Sequence, residues 1–413
     1  MKTLSITLFL FISSILSSQT WTNYNLKELN LYSTALYDLD IDSKQNIWVA
    51  SLSGLLKYDG TSWTVYDTSN SNLPHNELFA VGVGKEDNVW VGHTVNYGVS
   101  IYDGTNWTNY NKNNSIFDPY QVRDIVFDKK NNPWFGSWKY IWTLENDKWK
   151  NIRHREEDDN IISRINEIVV DKNNDIWFTT SYDGIYNYKV GKLKNYTFEK
   201  AYFYEGLSID SNNNIWFFNS DEILVNLINE TKKHIFIDTN TSSLNTNNAL
   251  HRKSLVDKQN KIWIIEERSL HSYNPETKLW KTFIAPDSLY SKEEKFNFTD
   301  FKLDANGNFW FITAGSGIFK LSDVITDVED EQIVKNISIY PNPTSTLLSY
   351  ETNNITSFIQ HSIVDLSGKV LINDNVDNAI RNSIDVSKLQ SGVYFLQLTD
   401  MKGVKYSKKF VIE

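Results

Sequence analysis

From Leu36 onward the chain alternates short apolar runs with clusters of Asp, Asn, Gly and Ser. In the first stretch the pattern predicts strands at Leu36–Ile41, Ile47–Ala50, Leu55–Tyr58 and Trp63–Tyr66, separated by tight turns. Leu39, Ile41, Val49, Leu55, Leu56 and Tyr58 are apolar on both faces of these strands, so each sheet is expected to be covered on both sides.

The same four-strand unit then recurs. Asp42 is followed six residues later by Trp48, and the spacing returns at Asp128/Trp134, Asp171/Trp177, Asp210/Trp216, Asp257/Trp263 and Asp304/Trp310. Gly84/Trp90 keeps the interval without the acid, which makes seven copies. Successive Trp residues lie 42, 44, 43, 39, 47 and 47 apart, the period of a β-propeller blade. The expected architecture is all-β: a seven-bladed propeller over 19–321 and a smaller sandwich behind it.

Two blades end alike, in Trp63-Thr-Val-Tyr66 and Trp107-Thr-Asn-Tyr110, whereas the last repeat stops at Leu321 without such a strand. Trp21-Thr-Asn-Tyr24, near the start, has the missing signature. Trp21–Asn25 is therefore predicted to be the outer strand of the seventh blade, closing the ring and leaving no open sheet edge. Before it, Met1–Ser18 carries one Lys, an apolar run and small residues, as a secretory leader does, with cleavage expected before Gln19. No Cys stands near that point to take a lipid, and no other segment is apolar enough to span a bilayer.

Charge and composition narrow the partners. A net charge of −10 speaks against nucleic acid, and the absence of Cys removes disulfides and thiolate chemistry. The turns, such as Asp171-Lys-Asn-Asn-Asp175, resemble part of a calcium loop but lack its Gly and distal Glu, and hairpin turns favour Asp and Asn in any case. No metal or cofactor is expected.

Candidate binding residues come from what the repeat leaves unexplained. Of the 14 Trp, seven sit at the repeat anchor, five in outer strands and Trp142 in a third strand, which leaves Trp138 in the loop between the second and third strands of its blade. With Tyr140, Tyr97 and Tyr182 in equivalent loops it could form a stacking platform, or simply fill a gap. Asp38, Asp124, Glu167 and Asp300 stand four residues before the repeat Asp and could line the channel mouth as a carboxylate ring; alternatively they accept backbone N–H groups of the next blade. The long connections between blades carry His75, His93 and His154 with Glu77, candidates for catalysis only in an enzymatic alternative.

Two resemblances add to this reading. The Asp, the turn, the Trp and glycines such as those in Trp90-Val-Gly92 and Trp134-Phe-Gly136, with Gly54, Gly98, Gly184 and Gly317 before the third strand, resemble the two-component regulator propeller repeat. That implies a ligand-binding propeller outside the cytoplasmic membrane. After an acidic linker (322–335), residues 336–413 carry Ile337-Ser-Ile-Tyr-Pro-Asn-Pro343, Ile363-Val-Asp-Leu-Ser-Gly-Lys369, Leu389-Gln-Ser-Gly-Val-Tyr-Phe-Leu396 and Lys408-Lys-Phe-Val-Ile412. Their order is similar to the type A C-terminal sorting domain of the type IX secretion system, an immunoglobulin-like β-sandwich. The resemblance implies the secretion machinery as partner, delivery to the medium or outer surface of a Gram-negative cell, and possible attachment to surface lipopolysaccharide. The expected role is binding of an extracellular glycan or protein. A propeller lyase or hydrolase, or a purely structural surface protein, are the alternatives.

Overall fold

The computed structural model describes residues 20–24, 26–29, 31–153, 163–196, 204–219, 224–228, 231–235, 253–276, 280–289, 297–322, 337–352, 358–365, 370–376, 381–400 and 405–413. The expected leader, most of the acidic linker, the candidate His154 and a further histidine of the long interblade connections, His251, lie outside the described residues. The chain separates into two compact units, one of them Trp21–Ser322 and the other holding Asp323–Glu413.

Among the described residues the first unit contains seven four-stranded antiparallel sheets. The first is Leu36–Ile41, Ile47–Ser51, Gly54–Tyr58 and Trp63–Tyr66, one residue longer at two strand ends than the hydrophobic pattern suggests. The innermost strand of each sheet packs beside that of the next, and the seventh beside the first, so the sheets form a closed ring. The core lies between sheets rather than within one. Trp48, Ala50 and Leu55 of the first pack on Leu78, Val81, Val89 and Val91 of the second.

The repeat Asp holds its own turn. Asp42 Oδ1 accepts the Lys44 and Asn46 N–H groups, while Oδ2 accepts the Asn46 amide and the Trp48 indole. Asp171 is engaged in the same way, by Asn173, Asp175, Trp177 and the Asn213 amide of the next blade. The calcium-like spelling of these turns is thus hairpin chemistry, with the oxygens occupied by protein donors.

The seventh sheet is completed by the N-terminus: Thr20–Tyr24 pairs with Ile318–Ser322 at the outer edge. Trp21 stacks against Phe298 and Phe311, with ring centroids 6.0 and 5.4 Å away. The glycines before the third strands show that this is a true outer-strand position. A Cβ on Gly54 would meet the Tyr66 carbonyl oxygen at 2.2 Å, and one on Gly317 would meet the Tyr24 carbonyl oxygen at 3.1 Å. Tyr24 occupies in the last blade the place of Tyr66 in the first.

A second set of contacts ties the blades together at the rim of the short first turns. The residue three after the repeat Asp has positive φ in every blade, from Gln45 (67°) to Gly307 (81°). Its side-chain oxygen accepts the N–H just after the repeat position of the preceding blade. The pairs are Ser43 to Asp87, Lys85 to Asn131, Lys129 to Asn174, Lys172 to Asn213, Ser211 to Asn260 and, closing the ring, Ala305 to Gln45. The junction between the sixth and seventh blades has Gly307 at the acceptor position, and glycine has no side chain to reach across.

The second unit has a three-stranded sheet (Ile337–Tyr340, Leu347–Thr352, Arg381–Asp385) and a four-stranded sheet (Val370–Asn375, Phe358–Val364, Gly392–Asp400, Lys405–Ile412). One core joins them, with Leu348, Tyr350 and Ile384 meeting Ile363, Leu396 and Phe410. The Tyr350 hydroxyl lies 2.9 Å from His361 Nδ1, bridging the two layers.

Candidate functional site

The elements around the axis decide what each candidate residue can do. Asp38 accepts the Val81 N–H of the second blade at 2.8 Å, Asp124 the Ile168 N–H of the fourth at 2.6 Å, and Glu167 the Leu207 N–H of the fifth at 2.5 Å. Lys253 of the sixth blade pairs with Glu167 at 2.9 Å. Asp38 and Asp300 hydrogen-bond to each other where the ring closes; burial, and then Asp300, pushes the Asp38 carboxyl well above the usual range. Burial likewise raises Asp124 to about 6. Asp38, Glu167 and Asp300 are buried. The ring that the spacing suggests therefore exists, but its oxygens serve as struts between blades rather than as an open ligand surface. Among the described residues no group of His, Asp and Glu is placed to hold a metal ion.

The His candidates divide as well. His93 is fully buried, its Nε2 2.6 Å from Ser100 Oγ, which in turn bonds Asn109. Burial, and the neighbouring His75, lower it to about 3, so it is neutral and closed to a substrate. Of these catalytic candidates His93 is thus withdrawn from the rim: it neighbours His75, but of the two only His75 lies there. His75 Nδ1 accepts the Glu77 N–H, and its ring packs on Tyr97 at 4.5 Å.

Nor do the loop aromatics make one platform. Tyr97 packs on His75, Tyr140 on Trp142, and Trp138 on Tyr120 with centroids 4.9 Å apart, while Tyr182 is 48% exposed in the fourth blade. These contacts do show that the interblade connections and the second loops share one rim.

What the repeat spacing does not reveal is a second ring at that rim. In several blades the innermost strand has a β-bulge just before the acid position, between Leu36/Asp38, Leu78/Ala80, Ile165/Glu167 and Phe298/Asp300. A bulge frees one residue from the alternation and re-aims its side chain. The residues five before the repeat position are Tyr37, Phe79, Arg123, Asn166, Glu205, Arg252 and Thr299, of which Arg252 lies outside the described residues. Tyr37 and Phe79 pack ring against ring at 4.5 Å. Arg123 is lowered to about 10 by burial and by the Arg164 guanidinium, and is held up by Tyr37 and Glu205. Tyr37 and Glu205 belong to the first and fifth blades, so each acts on Arg123 of the third from a non-adjacent blade. The variety of residue types at a structurally constant position is the signal that could have identified this mouth.

Trp138 joins it. Gln121 Oε1 accepts both Arg123 Nη1 at 3.2 Å and Trp138 Nε1 at 3.3 Å. One amide thus sets a guanidinium beside an indole, with Tyr120 against the far edge.

Comparisons with known proteins fit this architecture. Residues 338–413 match the family described as the secretion system C-terminal sorting domain. No curated protein sequence matches the chain significantly. Among solved structures, the extracellular domain of a hybrid two-component system from B. thetaiotaomicron is similar over 95% of this chain and 57% of its own, with 15% identity and TM-score 0.59. PorZ, a surface component of the type-IX secretion system of Porphyromonas gingivalis, is similar over 93% of this chain and 60% of its own, at 15% identity and TM-score 0.54. Virginiamycin B lyase from Staphylococcus aureus is similar over 74% of this chain and 99% of its own, at 13% identity and TM-score 0.59. The chain thus spans under two thirds of the first two proteins, and all three likenesses concern the fold. The matched tail directs its carrier to the cell surface or outside the cell. The protein is a propeller-like all-β unit followed by a secretion system C-terminal sorting domain, residues 338–413.

Proposed function

We propose that this exported propeller binds an extracellular glycan or protein at its axial mouth and does not alter it chemically. The observation that carries the reading is the Gln121 amide that holds the Arg123 guanidinium beside the Trp138 indole, where Tyr37 and Glu205 of two non-adjacent blades act on the same guanidinium. Partly exposed aromatic faces beside fixed polar groups are the composition of a recognition surface. The sorting domain supplies the route: it engages the type IX machinery and is removed after passage, leaving the propeller released or attached to surface lipopolysaccharide. A hydrolytic or lyase role would need an accessible base, and the burial of His93 counts against the rim pair His75/His93 supplying one.

The test is a glycan and peptide array probed with wild type and with Trp138→Ala and Tyr37→Ala. Binding that falls about tenfold or more in both variants, at unchanged melting temperature, supports the mouth as the site. Retained binding in both would move the site elsewhere. Turnover of any bound glycan would replace binding with catalysis.

A further inference from the structure

The mouth brings two arginines together, with the Glu205 carboxylate as the acid that acts on Arg123 from the fifth blade. Gly136, Ser137 and Trp138 run between two arginines: Arg123 N–H donates to the Gly136 carbonyl at 2.9 Å, and the Ile165 N–H, next to Arg164, donates to that of Ser137 at 3.0 Å. The two guanidiniums therefore flank the Trp138 loop, close enough for each to act on the other. Their hydrogen-bond partners are neutral. Arg123 uses Nη1 on Gln121, and Arg164 uses Nε on Asn166 Oδ1 at 3.2 Å and Ser181 Oγ at 3.1 Å.

Among the described residues neither guanidinium forms an ion pair, although the chain as a whole has net charge −10. A guanidinium offers five N–H donors in a planar fork, so most donors of both remain for a ligand. Two like charges side by side at an open mouth repel, and an anion placed between them relieves that repulsion.

We infer that the axial mouth takes an acidic polysaccharide, with a carboxylate or sulfate of one sugar gripped by Arg123 and Arg164 and a sugar ring laid on the adjoining aromatic faces. The inference rests on the binding role proposed above and names its ligand class. Sugar is favoured over acidic peptide by what surrounds the arginines. The faces of Tyr37, Phe79 and Trp138 suit the C–H face of a pyranose, and the amide N–H groups of Gln121, whose oxygen is taken by Arg123 and Trp138, suit its hydroxyl oxygens.

Titration calorimetry on the full chain with polygalacturonate, dextran sulfate, unsubstituted dextran and poly-L-glutamate tests it. Expected is binding to polygalacturonate or dextran sulfate, whichever supplies the favoured anion, and markedly weaker binding to dextran. Arg123→Gln and Arg164→Gln should each weaken it about tenfold or more and flatten its salt dependence, at unchanged melting temperature; Arg123→Lys should recover part of the loss. Dextran binding that depends on Trp138 but on neither arginine would overturn the charge assignment and leave the mouth as a site. Poly-L-glutamate bound as tightly, with the same arginine dependence, would replace the sugar with an acidic peptide. No binding to any of the four polymers would remove the acidic-glycan assignment, while an array ligand lost in Trp138→Ala would still uphold the mouth.

Discussion

The indole nitrogen of Trp48 donates to Asp42 Oδ2 at 2.9 Å, and five further blades repeat the bond between 2.7 and 3.5 Å. The six-residue spacing read along the chain is therefore a hydrogen bond. It fastens the first turn to the strand whose Trp fills the space between sheets. Asp42 also accepts two backbone N–H groups and an amide, so Asp42→Ala strands several buried donors and should destabilise the propeller by about 3 kcal/mol. Trp48→Phe keeps a ring but removes one donor and part of the packing, and should cost about 2 kcal/mol. Urea unfolding measures both; a loss in Trp48→Phe with none in Asp42→Ala would mean that ring bulk, not the bond, matters.

The ring of side-chain bonds between first turns is interrupted where Gly307 follows Asp304. A Cβ there meets nothing within 4 Å, and φ is +81°, a conformation that Asn tolerates better than other residues. Gly307→Asn should supply an acceptor for the Lys258 N–H and raise the melting temperature by about 2 °C. Gly307→Ala tests strain alone and should lower it. An Asn variant no better than the Ala variant would show that the bond does not form.

Much of this was legible in the sequence because it rests on local chemistry. The Trp period, the turn residues and the Trp-Thr-x-Tyr signature each follow from what one blade requires, and Trp21 fell into place by likeness to Trp63. The belt was not legible: Asn131 and Asn174 read as turn residues, and nothing local reveals that each reaches a partner in the preceding blade. The mouth was missed for a related reason. A bulge breaks the two-residue alternation on which strand reading depends, so Tyr37 and Phe79 fall out of phase at the end of their strands. The carboxylate ring was found by spacing, but which way its oxygens are used depends on the adjoining blade.

Closure through the N-terminus makes stability depend on a strand at the far end of the chain. Trp21 meets Phe298 and Phe311, and the Asn23 amide donates to the Leu289 carbonyl at 2.7 Å. Trp21→Ala should cost about 2–3 kcal/mol, because the ring is half-buried rather than fully enclosed. Removing residues 19–25 should lower the melting temperature further and promote self-association through the exposed edge of Ile318–Ser322. Calorimetry with light scattering reads both, and an unchanged melt in the deletion would mean that the ring holds without its clasp.

Export and folding are expected to separate. A chain ending at Leu321 keeps the first six sheets and the N-terminal closure, so it should melt close to the full protein yet remain in the periplasm, since it lacks the sorting domain. Fractionation of the producing cell decides the matter. Normal appearance of the shortened chain at the surface would assign the sorting signal elsewhere.

The carboxyl pair at the closure predicts a pH dependence of definite sign. Burial and Asp300 raise Asp38 above its unfolded value, so the folded state holds a proton that the unfolded chain releases. Such a group favours folding fully below the unfolded carboxylate range near pH ~4, and its contribution is lost as pH rises through the folded value. His93 acts in the opposite direction: burial lowers it to about 3, so stability from that site falls as pH drops below ~6.5. Asp38→Asn isolates the first effect, because His93 is common to both proteins. Asn keeps an oxygen for the Val81 N–H and offers an amide N–H to Asp300 in place of the shared proton. The variant should match wild type near pH 4 and exceed it by about 2–3 °C in melting temperature at pH 8. A variant that melts lower than wild type at pH 8 by the same margin as at pH 4 would show that the pair contributes no pH-dependent strain to the ring.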